Sequence, residues 1–174
     1  FDLITTNTTQ TKQEEIDGLK YKSYYFADNK FDKDLLNDLN LSDKLLISVP
    51  PKNQTDIVLK VFDTIFKKNK FNWLTYLSAT SVYGDKKGKW VDEETNPEPT
   101  SDRGVARLKA ENNWLKYYKN FKLPVQIFRL SGIYSIENNV IERLKAGTLK
   151  IVEKDNHFFS RIHVEDIAKI LTLS

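Results

Sequence analysis

Short apolar runs alternate with stretches of helical spacing along nearly the whole chain, and this alternation limits the fold more than any other feature. Leu45–Val49 is a compact apolar run that stops at Pro50 and Pro51, because proline cannot continue a buried ladder. In Thr55–Lys68, residues Ile57, Val58, Val61, Phe62, Ile65 and Phe66 fall on one helical stripe. Trp73–Ser78 and Val125–Leu130 read as buried strands, and a long helix is expected between them over Ser101–Tyr118. On the N-terminal side, strands are expected at Phe1–Asn7 and Ser23–Ala27, with helices at Thr11–Asp17 and Phe31–Leu39. On the C-terminal side, a helix at Asn138–Ala146 ends at Gly147, and Leu149–Glu153 and Phe158–Ile162 read as extended. A last helix begins at Val164. Strands separated by amphipathic helices give a parallel sheet with helices on both faces. Right-handed crossovers make it α/β and doubly wound, with ligands beyond the carboxyl ends of the strands. Thr5–Asn7, Ser48–Pro51, Ser78–Gly84 and Ser131–Tyr134 then share one rim.

Composition removes several alternatives. No run approaches the ~20 apolar residues that a bilayer span requires, so no membrane segment is expected. The absence of cysteine excludes disulfides, thiol nucleophiles and thiolate metal clusters, and it is compatible with a reducing cytoplasm, where the protein is expected. Lys and Arg exceed Asp and Glu by three, with the two signs interleaved, so no nucleic-acid surface is implied. The aromatic and lysine-rich stretch Trp114–Lys122 could stack on bases, but its spacing fits a helix face in a core or interface better. His157 and His163 lack further ligands at useful spacing, so no metal site is expected. The chain also lacks methionine and opens on an apolar run, as a piece of a longer protein would.

Three blocks carry a family resemblance. They are Tyr76-Leu77-Ser78-Ala79-Thr80-Ser81-Val82-Tyr83-Gly84-Asp85 with Trp90-Val91-Asp92-Glu93-Glu94-Thr95 and Asn96-Pro97, then Phe128-Arg129-Leu130-Ser131-Gly132-Ile133-Tyr134, then Ser160-Arg161-Ile162-His163-Val164-Glu165-Asp166-Ile167-Ala168. In order and spacing they resemble the extended short-chain dehydrogenase/reductases, the NAD-dependent nucleotide-sugar epimerases and dehydratases. Arg103-Gly104-Val105-Ala106-Arg107 resembles the small atypical branch of that family. The resemblance implies a strand and Gly-rich phosphate loop ahead of Phe1, absent from these 174 residues. It makes residues 1–174 one partial NAD(P)-binding domain of Rossmann type, with a small substrate-binding region starting near residue 135.

The resemblance also assigns positions. The family's catalytic Ser or Thr falls on Ala79, and its Tyr-x-x-x-Lys falls on Arg103 and Arg107. A guanidinium does not give up its proton in proteins, so Arg103 cannot be the usual acid or base. Two Arg side chains at i and i+4 suit a phosphate or carboxylate; a solvated face paired with Asp102 or Glu111 is the other use of the same residues. Candidate catalytic residues are Arg103, Arg107, Thr80 and Ser81. Candidate cofactor contacts are Thr6, Asn7, Ser48, Val49, Pro50, Ser78 and Arg107. Tyr83 and Arg103 are candidates for the substrate, with packing the alternative for Tyr83. No acid stands at Thr5–Asn7 to hold an adenosine ribose, and Lys12 is near, so NADP is slightly favoured over NAD. The resemblance implies a homodimer through helices 55–68 and 101–118. Two functions stay open: a redox or epimerisation catalyst on a nucleotide-sugar-like or other anionic substrate, and a catalytically silent dinucleotide-binding sensor or scaffold.

Overall fold

The computed structural model describes residues 2–68, 70–150, 153, 156 and 158–174. Its elements run β1 (Ile4–Asn7), β2 (Lys12–Ile16), β3 (Leu19–Ala27), β4 (Lys30–Phe31), α1 (Asp34–Leu41), β5 (Lys44–Ile47) and α2 (Ile57–Lys68). Then come β6 (Trp73–Ala79), a 3-10 turn (Thr80–Tyr83), α3 (Asp102–Phe121), β7 (Val125–Leu130) and β8 (Gly132–Tyr134), followed by α4 (Val140–Lys145), β9 (Arg161–His163) and α5 (Val164–Leu173). The architecture is α/β. β5, β6 and β7 form a parallel sheet in that order, and β1 pairs parallel to β3. β2 and β4 pair antiparallel to β3, and β8 pairs parallel to β9.

The helix expected at Thr11–Asp17 is instead the strand β2. Ile16 pairs with Leu19 across a two-residue loop, Asp17 and Gly18, both at positive φ. That is the backbone of a tight hairpin whose twist matches its strands, and Asp-Gly is a preferred sequence for it. The helix expected from Phe31 begins at Asp34, because Phe31 ends the short strand β4. The extended run expected at Leu149–Glu153 lies partly outside the described residues, as does His157.

The core lies between the sheets and α2 and α3. α2 buries Val58, Leu59, Phe62, Ile65 and Phe66. Trp114 of α3 is fully buried, edge-on to Phe66 and stacked over Tyr76 of β6. Large aromatic rings in such offset contacts contribute about 1 kcal/mol each beyond burial. Ile4, Thr5 and Thr6 of β1 face Leu45, Leu46 and Ile47 of β5 across an apolar groove of about 110 Å³, with Phe62 and Phe66 among its lining. β1 and β5 are not paired to each other, so the groove separates the two larger sheets.

Candidate functional site

In the parallel register, Ile47 of β5 lies beside Tyr76 of β6, and Ala79 lies beside Leu130 of β7. The carboxyl ends of β6 and β7 therefore meet at the start of the 3-10 turn, and β5 ends beside Tyr76. That turn buries Val82 and Tyr83, half-buries Thr80 and leaves Ser81 exposed. Neither the Thr80 nor the Ser81 hydroxyl bonds to a described residue, so both can meet a ligand.

The turn is held from several sides. Gly84 closes it at φ 71°, and a Cβ there would stand 2.0 Å from the Glu98 carbonyl oxygen, so the following loop crosses where a side chain would begin. The Tyr83 hydroxyl donates to the Asp92 carbonyl at 2.7 Å, and the Arg129 guanidinium lies 4.8 Å over the Tyr83 ring. α3 reaches the turn through Gly104, where a Cβ would fall 2.5 Å from the Ser81 carbonyl oxygen and 2.9 Å from the Pro99 Cβ. The glycine of Arg-Gly-x-x-Arg thus allows helix and turn to touch backbone to backbone. Ser101 caps this helix by accepting from the Gly104 amide at 3.1 Å.

Arg103 immediately precedes the glycine that makes this contact. Arg103 is exposed and makes no hydrogen bond or ion pair among the described residues. Arg107 is half-buried, and its Nη1 donates to the Leu77 carbonyl at 2.8 Å. The two guanidinia therefore do different jobs despite their shared spacing. Among the described residues, the hydroxyls of Thr75, Tyr76 and Ser78 are buried without a hydrogen-bond partner. Burial pushes the Tyr76 hydroxyl up to about 12, against the pull of the Arg107 charge. Glu111 does not pair with either arginine; it takes Arg129 instead, with Nη2 at 2.8 Å and Nε at 3.2 Å from its oxygens.

The cofactor-side candidates gather at the groove. Thr6 and Val49 line it, and Ser48 and Pro50 beside them are exposed. The Asn7 side chain is engaged: its amide donates to Ser23 and Gln10, while its oxygen accepts from Thr9 and Gln10. Lys12 sits on β2 with its ammonium 2.5 Å from Glu14. His163 caps α5, accepting from the Glu165 amide, with its ring edge-on to Tyr134. Among the described residues, no group of three His, Cys, Asp or Glu side chains could hold a metal, and no helix is long and apolar enough to cross a membrane. Sequence reasoning missed the Glu111–Arg129 pair. Its signal was Glu111 falling next to Ala110 and three residues before Trp114, on the buried stripe of α3.

A family model described as the NAD dependent epimerase/dehydratase family matches residues 51–174. The chain belongs to this family. Among its relatives is a conserved protein of unknown function from Silicibacter pomeroyi DSS. That structure is 37% identical, with a TM-score of 0.73 over 87% of this chain and 51% of its own. An uncharacterized UDP-glucose epimerase, YtcB, from Bacillus subtilis (strain 168) is 34% identical over 68 residues, 39% of this chain and 21% of YtcB. The structure of MoeE5 in complex with UDP-glucose and NAD shares the epimerase/dehydratase fold, with a TM-score of 0.76 at 15% identity over 99% of this chain and 62% of that one. The chain thus spans about half the length of the Silicibacter protein and about a fifth of YtcB.

Proposed function

We propose that this protein binds NAD or NADP together with a nucleotide sugar or similarly anionic ligand, with Arg103 as the group that holds the anion. The observation that carries this reading is the exposed Arg103 guanidinium, without a partner among the described residues and one position before the Gly104 that meets the Ser81 carbonyl. A planar fork of donors with no internal carboxylate suits a phosphate or a sugar carboxylate. Thr80 and Ser81 can donate to sugar hydroxyls in the same place.

The residues present fit the flanks of a dinucleotide. Thr6, Ser48, Val49 and Pro50 offer a wall along the groove mouth, and Ser78 and Arg107 stand under the 3-10 turn. Arg107 is oriented by the Leu77 carbonyl, so its remaining donors are presented in a fixed direction. The six glycines form no phosphate-cradling run. A nicotinamide dinucleotide held there would supply hydride exchange. MoeE5, with UDP-glucose and NAD bound, supports NAD at least as well as NADP, and Lys12, the cation that favoured a 2′-phosphate, is shared with Glu14.

Proton transfer separates the two functions left open. Arg103 and Arg107 occupy the family's Tyr and Lys positions, Ala79 replaces its Ser or Thr, and the Tyr83 hydroxyl is spent on Asp92. This supply of hydroxyls without an activated base favours the second reading, a silent dinucleotide-binding sensor or scaffold. We also read the pair α2 and α3 as a homodimer face, since α3 leaves Val105, Leu115 and Tyr118 exposed, and we place the protein in the cytoplasm. A single-chain mass in solution contradicts the dimer.

Calorimetry with UDP-glucose tests the central assignment. Arg103→Ala is expected to weaken binding about tenfold or more, ~1.4 kcal/mol, with an unchanged melting temperature. Equal affinity of the variant and the parent contradicts it. Conversion of UDP-glucose in the presence of NAD selects the enzyme; binding without conversion selects the sensor.

A further inference from the structure

Among the described residues, the most buried ion pair stands outside every role assigned so far. Glu111 is 1% exposed, and both of its oxygens are taken by Arg129, through Nε and Nη2. The pair joins α3 to β7. The same guanidinium continues past Glu111 and lies 4.8 Å over the ring of Tyr83, which is itself buried and tied through its hydroxyl to the Asp92 carbonyl. One planar group thus touches the helix that carries Arg103, the strand that ends at Leu130, and the turn that carries Thr80 and Ser81.

Stability alone is a poor reason for this arrangement. Removing a carboxylate and a guanidinium from water offsets most of their attraction, and apolar side chains of similar volume commonly hold a core as well or better. What an ion pair adds is direction: a bidentate fork fixes the guanidinium plane, and a fixed plane fixes the ring stacked against it. We propose that Glu111 and Arg129 are positioning residues, and that their ion pair holds the 80–83 turn through Tyr83 so that the Thr80 and Ser81 hydroxyls stay aligned with Arg103. The proposal rests on the anion-site reading for what the alignment serves, while the ordering of the turn is measured without any ligand.

Two variants isolate the effect. Arg129→Lys keeps the charge and loses the fork and the flat face. Glu111→Leu with Arg129→Met replaces the pair by apolar bulk, so that the core remains filled. The backbone amides of residues 80–84 are followed by NMR relaxation in the whole chain. In the parent they are expected near the rigid value of about 0.85, and in both variants below about 0.6, while β7 and α3 keep their parent values. The melting temperature of the apolar variant is expected close to the parent's. A parent turn that is already flexible overturns the proposal. So do variant turns that stay rigid, or a loss of order spread evenly over β6, β7 and α3. UDP-glucose calorimetry on the same proteins then separates the two ideas. Weaker binding in both variants supports alignment. Parent-like binding in them, together with loss in Arg103→Ala, overturns the positioning role and leaves the anion site standing. If the parent does not bind UDP-glucose, the anion-site reading fails, and the relaxation data alone decide whether the pair holds the turn.

Discussion

Asp56 shows at the scale of one residue how burial and hydrogen bonding oppose each other. It is 7% exposed, its Oδ1 accepts from the Leu59 amide at 3.0 Å, and its Oδ2 accepts from Trp114 Nε1 at 2.8 Å. Those donors favour the carboxylate, yet burial outweighs them and raises the group above its ordinary 3.8. A raised folded-state value means that the folded protein binds the proton more tightly than the unfolded chain. The ionised form therefore costs stability above the folded-state value, and the cost disappears as pH falls toward the ordinary range. Melting Asp56→Asn beside the parent from neutral pH down to 3.8 should show the parent gaining on the variant as pH falls. A constant difference across that range contradicts this account. The arginines teach a related lesson. Their i,i+4 spacing was legible in the sequence, but the capture of Arg107 by the Leu77 carbonyl was not, because a backbone acceptor leaves no mark in residue identity.

Among the elements, the long helices and the buried strands were read nearly in full. β6 and β7 match their expected ranges to within a residue, and α3 begins one residue after the expected start and runs past its expected end. Each is buried enough for its apolar pattern to carry the periodicity. The hairpin of β2 and β3 was missed because Lys-Gln-Glu-Glu-Ile offers no apolar alternation, being mostly exposed. Its turn, Asp17-Gly18, was the available signal. The contact between α3 and the 3-10 turn yields a prediction at this scale. Alanine normally stabilises a helix over glycine by about 1 kcal/mol. At Gly104 the added carbon meets the Ser81 carbonyl and the Pro99 ring, neither a flexible chain end, so the helix must move. Gly104→Ala is expected to destabilise by about 1–3 kcal/mol in urea denaturation and to weaken UDP-glucose binding. A variant more stable than the parent shows that the close approach is not required.

For the molecule as a whole, the alternation of strands and helices predicted the α/β class, and the family match over residues 51–174 agrees with it. The division into two larger sheets around an apolar groove was not predicted, because strand order is set by long-range pairing that local pattern does not record. The groove separates Thr6, at the end of a strand of the first sheet, from Val49 and the 3-10 turn, which follow strands of the second. A dinucleotide that bridges them would join the two halves of the site, which is the central claim. The direct test is a fluorescence titration of NADH and of NADPH into the protein. Saturable enhancement of nicotinamide emission, with NADH bound at least as well as NADPH, is the result predicted here. No change with either nucleotide at millimolar concentration, a binding free energy weaker than about −4 kcal/mol, would contradict it.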